Sequence, residues 1–170
     1  MKPPPSGTFS VVHLRVETAR PYDDVTKSFL AQLGSLDSAA LAALFASRPS
    51  AEQFRARLDA MAGTSGFMLF GTVDHGTLLS VLGSPRRAVQ YVIGNPLIAH
   101  QMTQHRLGAG LYAPLRTLIY EDDSGQTCVE YDRPSSLFGR FGGERIDRVG
   151  RELDHKMDRL VTTAVAVEGR

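Results

Sequence analysis

Residues 115–132, LRTLIYEDDSGQTCVEYD, predict a β-hairpin in the second half of the chain. Two runs rich in β-branched and aromatic residues, 115–121 and 126–132, flank the short acidic segment 122–125, which ends in Gly125. Acidic residues and serine favour turns, and glycine at the end of the turn supplies the backbone freedom that reversal requires. The sequence therefore predicts at least one antiparallel strand pair.

Helical and extended patterns alternate along the rest of the chain. Hydrophobic periodicity and end signals predict strands and helices in turn. The predicted strands are 9–16, 67–73 and 87–93, and the predicted helices are 21–34, 37–46, 50–63 and 144–161. Segment 67–73 is a continuous apolar run, which predicts a strand buried on both faces or nearly so. The expected fold is α+β, a two-layer sandwich of a mixed or antiparallel sheet with helices on one face and an inserted helical pair.

Composition limits the possible functions. The 170 residues suit a single domain, predicted to span 9–165 after a flexible leader at 1–8. The net charge of +1 disfavours nucleic acid as a partner. No apolar stretch is long enough to span a membrane, and three prolines near the amino terminus disfavour a signal peptide, so a cytoplasmic protein without a membrane partner is expected. Cys128, alone in the sequence, is predicted to be a buried, unreactive thiol.

Three segments together resemble the DUF302 family, a domain of unknown function. They are 71–75 (GTVDH), 92–96 (VIGNP) and 113–122 (APLRTLIYED), with Gly125 and 129–131 following. The resemblance covers 67–138 well and 9–34 weakly. It implies a small α+β domain that often forms dimers, and it implies no established biochemistry.

The chain departs from the family pattern in two places. Residues 36–65, with two predicted helices, resemble an insertion where the family has a short link, and these helices are candidates to cover a pocket or form an interface. In addition, Tyr112 and Ala113 precede Pro114 where an acidic residue and leucine are more usual.

Asp74 and His75 end the predicted strand 67–73. Histidine titrates near neutral pH, so His75 is a candidate general acid or base whose ring a carboxylate such as Asp74 orients. The alternative is structural: His75 begins the next helix and Asp74 caps it.

Asn95 is expected at the start of a helix, with Pro96 in the first turn. Unpaired backbone N–H groups there form a natural anion site, and the alternative is a plain helix cap.

The hairpin offers a second charged region. Arg116, Leu118 and Tyr120 share one strand face, and either Tyr131 or its neighbours stand opposite Arg116, depending on the register. If Arg116 and Glu130 project into a cleft, they are a carboxylate clamp and a catalytic carboxylate. If they face solvent, they are ordinary cross-strand charges.

A metal or haem group is a third possibility, through His100 or His105. The spacing of these residues and Met102 does not place a ligand set on one helix face. One histidine alone suffices as the axial ligand in several haem proteins, so that alternative stays open, while the leading hypothesis includes no metal site and no cofactor.

The leading hypothesis is a small-molecule-handling protein, expected to be a homodimer, with a pocket where 74–75, Asn95 and 116–131 converge. As an enzyme it is expected to perform cofactor-independent acid–base chemistry, such as isomerisation, cyclisation or hydrolysis. The residues assigned to catalysis are His75, Glu130 and Asp74; those assigned to substrate binding are Asn95, Arg116, Tyr112, Tyr120 and Tyr131. The competing hypothesis is a non-catalytic binding module that uses Tyr91, Tyr112 and Tyr120 as contacts.

Overall fold

A computed structural model describes residues 7–167, so most of the predicted leader lies outside the described residues. Six strands and seven α-helices follow one another in that range. In chain order they are β1 (His13–Thr18), α1 (Tyr22–Ala31), β2 (Gly34–Ser35), α2 (Ser38–Ala46), α3 (Ala51–Met61), β3 (Met68–Asp74), α4 (His75–Val81), β4 (Ala88–Gly94), α5 (Pro96–Thr103), β5 (Leu115–Glu121), β6 (Thr127–Asp132), α6 (Pro134–Phe138) and α7 (Glu144–Val165). Two short 3-10 helices, Leu107–Tyr112 and Gly139–Phe141, complete the set.

All six strands form one mixed sheet in the order β1-β6-β5-β4-β3-β2. The pairs are antiparallel except β2 with β3, which is parallel. The predicted hairpin is present as β5 and β6, with Tyr120 opposite Cys128. β1 begins at His13 rather than at Phe9, and it returns to pair with β6 at the edge of the sheet.

Helices α1, α5 and α7 cover one face of the sheet, as predicted for an α+β fold. Their apolar stripes pack on alternate strand residues, because successive side chains of a strand point to opposite faces. The resulting core includes Phe29, Tyr91, Ile119, Val129 and Met157. The α7 stripe runs from Ile146 to Ala164, a little beyond the predicted end at residue 161.

The other face of the sheet, here called the open face, carries mostly polar and charged side chains. Because of the strand alternation, this face receives His13 and Arg15 from β1, Glu130 from β6, and Arg116 and Tyr120 from β5. Its charged groups lie against solvent or against one another.

The structure corrects one prediction about the sheet. Segment 67–73 was expected to be buried on both faces, but β3 is buried only at its start and is exposed from Thr72 onwards. The reason is its position: β2 pairs with β3 only at Met68 and Leu69, so the rest of β3 lies at the sheet edge.

The two helices expected in 36–65 are present as α2 and α3, between β2 and β3. The backbone before α2 and the backbone after α3 lie in close contact at Gly34 and Gly63. A Cβ added at Gly34 would lie 1.8 Å from the carbonyl oxygen of Met61, and a Cβ added at Gly63 would lie 2.3 Å from the carbonyl oxygen of Gln32. Only glycine fits at such backbone approaches. Within residues 7–167, no helix combines the length and the apolar character needed to cross a lipid bilayer.

Candidate functional site

The first candidate region is a set of polar side chains on the open face, here called the open-face cluster: His13, Arg15, Tyr120, Glu130 and Asp132. The strand register brings them together, because His13 lies opposite Asp132, Arg15 lies opposite Glu130, and Glu130 lies opposite Leu118 of β5. The cluster thus joins the edge strand β1 to the predicted hairpin.

Glu130 is the centre of this cluster. Its Oε1 accepts a hydrogen bond of 2.6 Å from Tyr120 Oη, and its Oε2 lies 3.1 Å from Nε2 of His13. The other ring nitrogen of His13, Nδ1, lies 2.9 Å from Oδ1 of Asp132. Arg15 Nε lies 3.7 Å from Glu130, while its Nη2 reaches Asp122 at 3.2 Å. A carboxylate with a phenol and an imidazole on its two oxygens has the components of a proton relay.

Two groups of the cluster, His13 and Tyr120, have raised pKa values. Hydrogen bonds to Asp132 and then to Glu130 raise the pKa of His13, because they favour the protonated ring. Burial, followed by the bond to Glu130, raises the pKa of the Tyr120 hydroxyl. The cluster therefore favours a charged imidazolium and a neutral phenol.

Cys128 lies on the same face of β6 and is fully buried, in agreement with the sequence prediction. Arg15 covers it, with Nη2 3.3 Å from Sγ.

The second candidate region is a cavity of about 120 Å³ at the Gly94 end of β4, here called the apolar cavity. It lies where the start of β3, the end of β4, α5 and the start of β5 meet, and Phe138 and Leu153 also line it. The full lining is Phe67, Phe70, Gly94, Asn95, Pro96, Ile98, Ala99, Met102, Ala113, Pro114, Leu115, Phe138 and Leu153. Within the described part of the chain, this lining includes one polar side chain, that of Asn95.

Asn95 is held firmly in place. Its Oδ1 accepts a 2.9 Å bond from the backbone N–H of Leu97 and so caps α5, while its Nδ2 donates a 2.9 Å bond to the carbonyl oxygen of Gly66. Both contacts fix the orientation of the amide at the cavity wall. An amide oxygen and an NH₂ group each retain capacity for a further hydrogen bond.

The structure does not bring Asp74 and His75 to Asn95. Asp74 pairs with Val89 at the beginning of β4, whereas Asn95 follows its last residue, and a strand of this length spans about 20 Å. Asp74 caps α4 by accepting bonds from the backbone N–H and the hydroxyl of Thr77, and these bonds lower its pKa. His75 is the exposed first residue of α4. This is the alternative in which Asp74 caps a helix that begins at His75.

The other predicted binding residues are also dispersed. Arg116 and Tyr120 share the open face with Glu130, where Arg116 is exposed to solvent. Tyr131 lies on the helix-covered face instead, where its hydroxyl donates a 2.9 Å bond to Asp158. Tyr112 packs against Phe141 and accepts a 2.6 Å bond from Arg140.

The residues of the metal and haem alternative, His100 and His105, are both exposed. Among residues 7–167, no group of three or more histidine, cysteine, aspartate and glutamate side chains is placed to hold a metal ion.

Sequence reasoning missed two residues, His13 in the open-face cluster and Phe70 at the mouth of the apolar cavity. A signal existed for each. His13, Arg15 and Glu17 alternate along a predicted strand, which places three ionisable groups on one face. Gly71 interrupts an apolar strand, and an isolated glycine in a strand often marks a bulge.

Comparisons with known proteins agree with this architecture. A search of curated proteins finds no match. A crystal structure of an uncharacterized conserved DUF302 protein from Bacillus stearothermophilus has the same fold: the TM-score is 0.61 at 13% sequence identity, and the alignment covers 89% of this chain and 97% of that one. The family described as Domain of unknown function DUF302 matches residues 45–164, more than two thirds of the 170 residues. The chain therefore belongs to the DUF302 family.

Proposed function

We propose that this protein binds a small, uncharged, largely apolar molecule, or the apolar part of a larger one, in the apolar cavity. The observation that carries the proposal is the lining, in which apolar side chains surround a volume of about 120 Å³. Apolar cavities on the order of 150 Å³ are able to hold a benzene-sized molecule. A charged group entering such a lining would lose its hydration without gaining a counter-charge.

The position of the cavity in the sequence supports the same proposal. Gly94, Asn95 and Pro96 come from one of the segments on which the family resemblance rests, and Ala113, Pro114 and Leu115 come from another. Asn95 supplies the polar contact that orients a bound molecule, because its amide is already fixed by Leu97 and Gly66. Ligand pockets commonly combine an apolar lining with a few well-placed polar groups.

The test is to fill the cavity. Benzene is titrated into the protein while the methyl resonances of Met102 and Ile98 are followed by NMR. We expect saturable shifts in the unaltered protein and a loss of at least about tenfold in affinity in Ala99→Leu, whose added carbons occupy the cavity.

Ala43→Leu is the matched control, because Ala43 is exposed on α2 and its substitution leaves the cavity unchanged. Equal benzene binding by Ala99→Leu and Ala43→Leu, or no saturable binding by the unaltered protein, would contradict the proposal.

A second candidate function is acid–base catalysis on the open face. It is favoured by the short bond from Tyr120 to Glu130 and by the contact of Glu130 with His13. Glu130, which lies opposite Leu118 on the same sheet face as Arg116, is then the proton carrier in place of His75, and His75 is dispensable. In a panel of ester, lactone and enol substrates, we expect turnover that Glu130→Gln abolishes and His75→Ala retains. The absence of turnover, or turnover that Glu130→Gln leaves unchanged, argues against catalysis by the open-face cluster.

Homodimer formation is proposed as well. Leu78, Val81 and Leu82 of α4 and the loop after it expose most of their apolar surface, which association would remove from water. Light scattering after size exclusion measures the mass directly. A dimer that Val81→Asp converts to a monomer supports the proposal, and a monomeric unaltered protein contradicts it.

A further inference from the structure

Phe70 occupies an irregular position in the sheet. Leu69 pairs with Ile93 and Gly71 pairs with Val92, so these two consecutive pairs leave Phe70 as an extra residue in β3. This arrangement is a β-bulge, and bulges re-aim a side chain that a regular ladder would fix. The bulge directs Phe70 to the lining of the apolar cavity.

The exposure of Phe70 places it at the entrance of the cavity. Its side chain is 38% exposed, whereas Phe67 and Phe138 in the same lining are fully buried. The inner wall is therefore fixed by the core, and the aromatic ring that meets solvent is the one carried by the bulge.

Gly94 lies beside this ring and gives it room. A Cβ at Gly94 would lie 3.4 Å from Cε2 of Phe70 and 3.2 Å from Cβ of Pro114. Phe70 and Pro114 thus both pack against the bare backbone of Gly94. The space between them depends on the missing side chain, and any substitution there would press on both rings.

We propose that Phe70, held by the bulge against Gly94, determines the size and shape of the molecules that the apolar cavity accepts. This inference rests on the proposed binding function and adds the ligand class. That class is a single planar six-membered ring, or a group no larger than one, which contacts the ring of Phe70. Aromatic contacts add to apolar burial, so benzene is expected to bind about 2- to 10-fold more tightly than cyclohexane. Naphthalene is excluded by the ring at the entrance.

The experiment measures dissociation constants for benzene, cyclohexane and naphthalene by NMR titration. In Phe70→Ala we expect naphthalene to bind at least about tenfold more tightly than it binds to the unaltered protein, and the preference for benzene over cyclohexane to disappear. Phe70→Leu keeps most of the apolar volume without the ring, so it is expected to lose the preference for benzene while still excluding naphthalene.

Two further variants complete the design. Gly94→Ala is expected to weaken benzene binding at least about tenfold, because the added methyl group displaces Phe70 and Pro114. Phe45→Ala removes a phenylalanine that is 59% exposed on α2, and it is expected to leave all three constants unchanged. Urea unfolding confirms that each variant is folded.

The outcomes separate the inference from the function beneath it. If the unaltered protein binds none of the three probes, the proposed binding function fails and the inference fails with it. If the unaltered protein binds benzene, but both Phe70 variants keep its preference for benzene over cyclohexane and Phe70→Ala still excludes naphthalene, the binding function stands and the role of Phe70 is wrong.

Discussion

Leu118 and Ile119 are neighbours on β5, yet their side chains meet different surroundings. Ile119 is fully buried beneath the helices, within the core that includes Phe29 and Val129. Leu118 lies on the open face, in a groove shared with Arg15 and Tyr120. One strand therefore separates an apolar layer from a charged one, and the two faces of the sheet have different physical roles.

The difference shows where stability and chemistry reside. Burying a large apolar side chain contributes about 1.5–3 kcal/mol, whereas an exposed ion pair contributes about 0–1 kcal/mol. The contacts of Arg15 with Glu17, Asp122 and Glu130 belong to the second class, because its side chain is 42% exposed. Stability thus comes mainly from the covered face, which leaves the charged groups of the open face available for other interactions.

The largest predicted effect contrasts the two neighbours on β5. Ile119→Ala is expected to lower the free energy of unfolding by about 2–5 kcal/mol, because it leaves a cavity in a packed core. Leu118→Ala is expected to cost about 1 kcal/mol or less, since its side chain is already partly solvated. Urea denaturation of both variants measures the difference, and equal losses would show that the open face is covered in solution.

A smaller contrast uses one tyrosine from each face. Tyr131→Phe removes a 2.9 Å bond to Asp158 in the covered layer and is expected to cost about 1.5 kcal/mol. Tyr120→Phe removes the bond to Glu130, but that carboxylate keeps His13 and Arg15 as neighbours, so the expected cost is below about 1 kcal/mol. A greater loss in Tyr120→Phe than in Tyr131→Phe, again measured by urea unfolding, would reverse the comparison.

The smallest effect is a pH dependence on the open face. Because Asp132 and Glu130 raise the pKa of His13, the stabilisation is complete below the ordinary value of 6.5 and is lost as pH rises through the higher folded-state pKa. Over this pH range we expect the free energy of unfolding of the unaltered protein to fall by about 0.2–1 kcal/mol, the size typical of exposed ion pairs. In His13→Gln this pH-dependent decrease is expected to be absent. His100→Gln, which changes an exposed histidine on α5, serves as the control. Identical pH profiles for the unaltered protein and His13→Gln would exclude the contact.

Features that depend on neighbouring residues were predictable from the sequence. The capping box of Ser50 and Gln53 is present at the start of α3. Asn95 caps α5 with Pro96 in its first turn, and the hairpin of β5 and β6 forms around its acidic turn. Such signals are local, because a side chain satisfies backbone groups two or three residues away.

The site was less predictable because its contacts are distant in sequence. His13 and Glu130 are 117 positions apart, and they meet only because the edge strand β1 returns to β6 in a particular register. A register shift of one residue would move Glu130 to the covered face. The expected pocket combined Asp74, Asn95 and Glu130 because strand ends and polar residues were visible, but the direction of β4 places Asp74 and Asn95 at opposite ends.

The bulge at Phe70 also affects how the sheet meets other chains. Beyond Leu69, no strand among residues 7–167 pairs with the outer side of β3, so its backbone groups form an exposed sheet edge. A flat, regular edge is a template on which a second chain adds a strand, and this addition is a common route to aggregation. The extra residue interrupts the regular spacing of N–H and C=O groups and increases the local twist. The irregularity that carries Phe70 to the cavity therefore also makes this part of the edge a poorer template for edge-to-edge association.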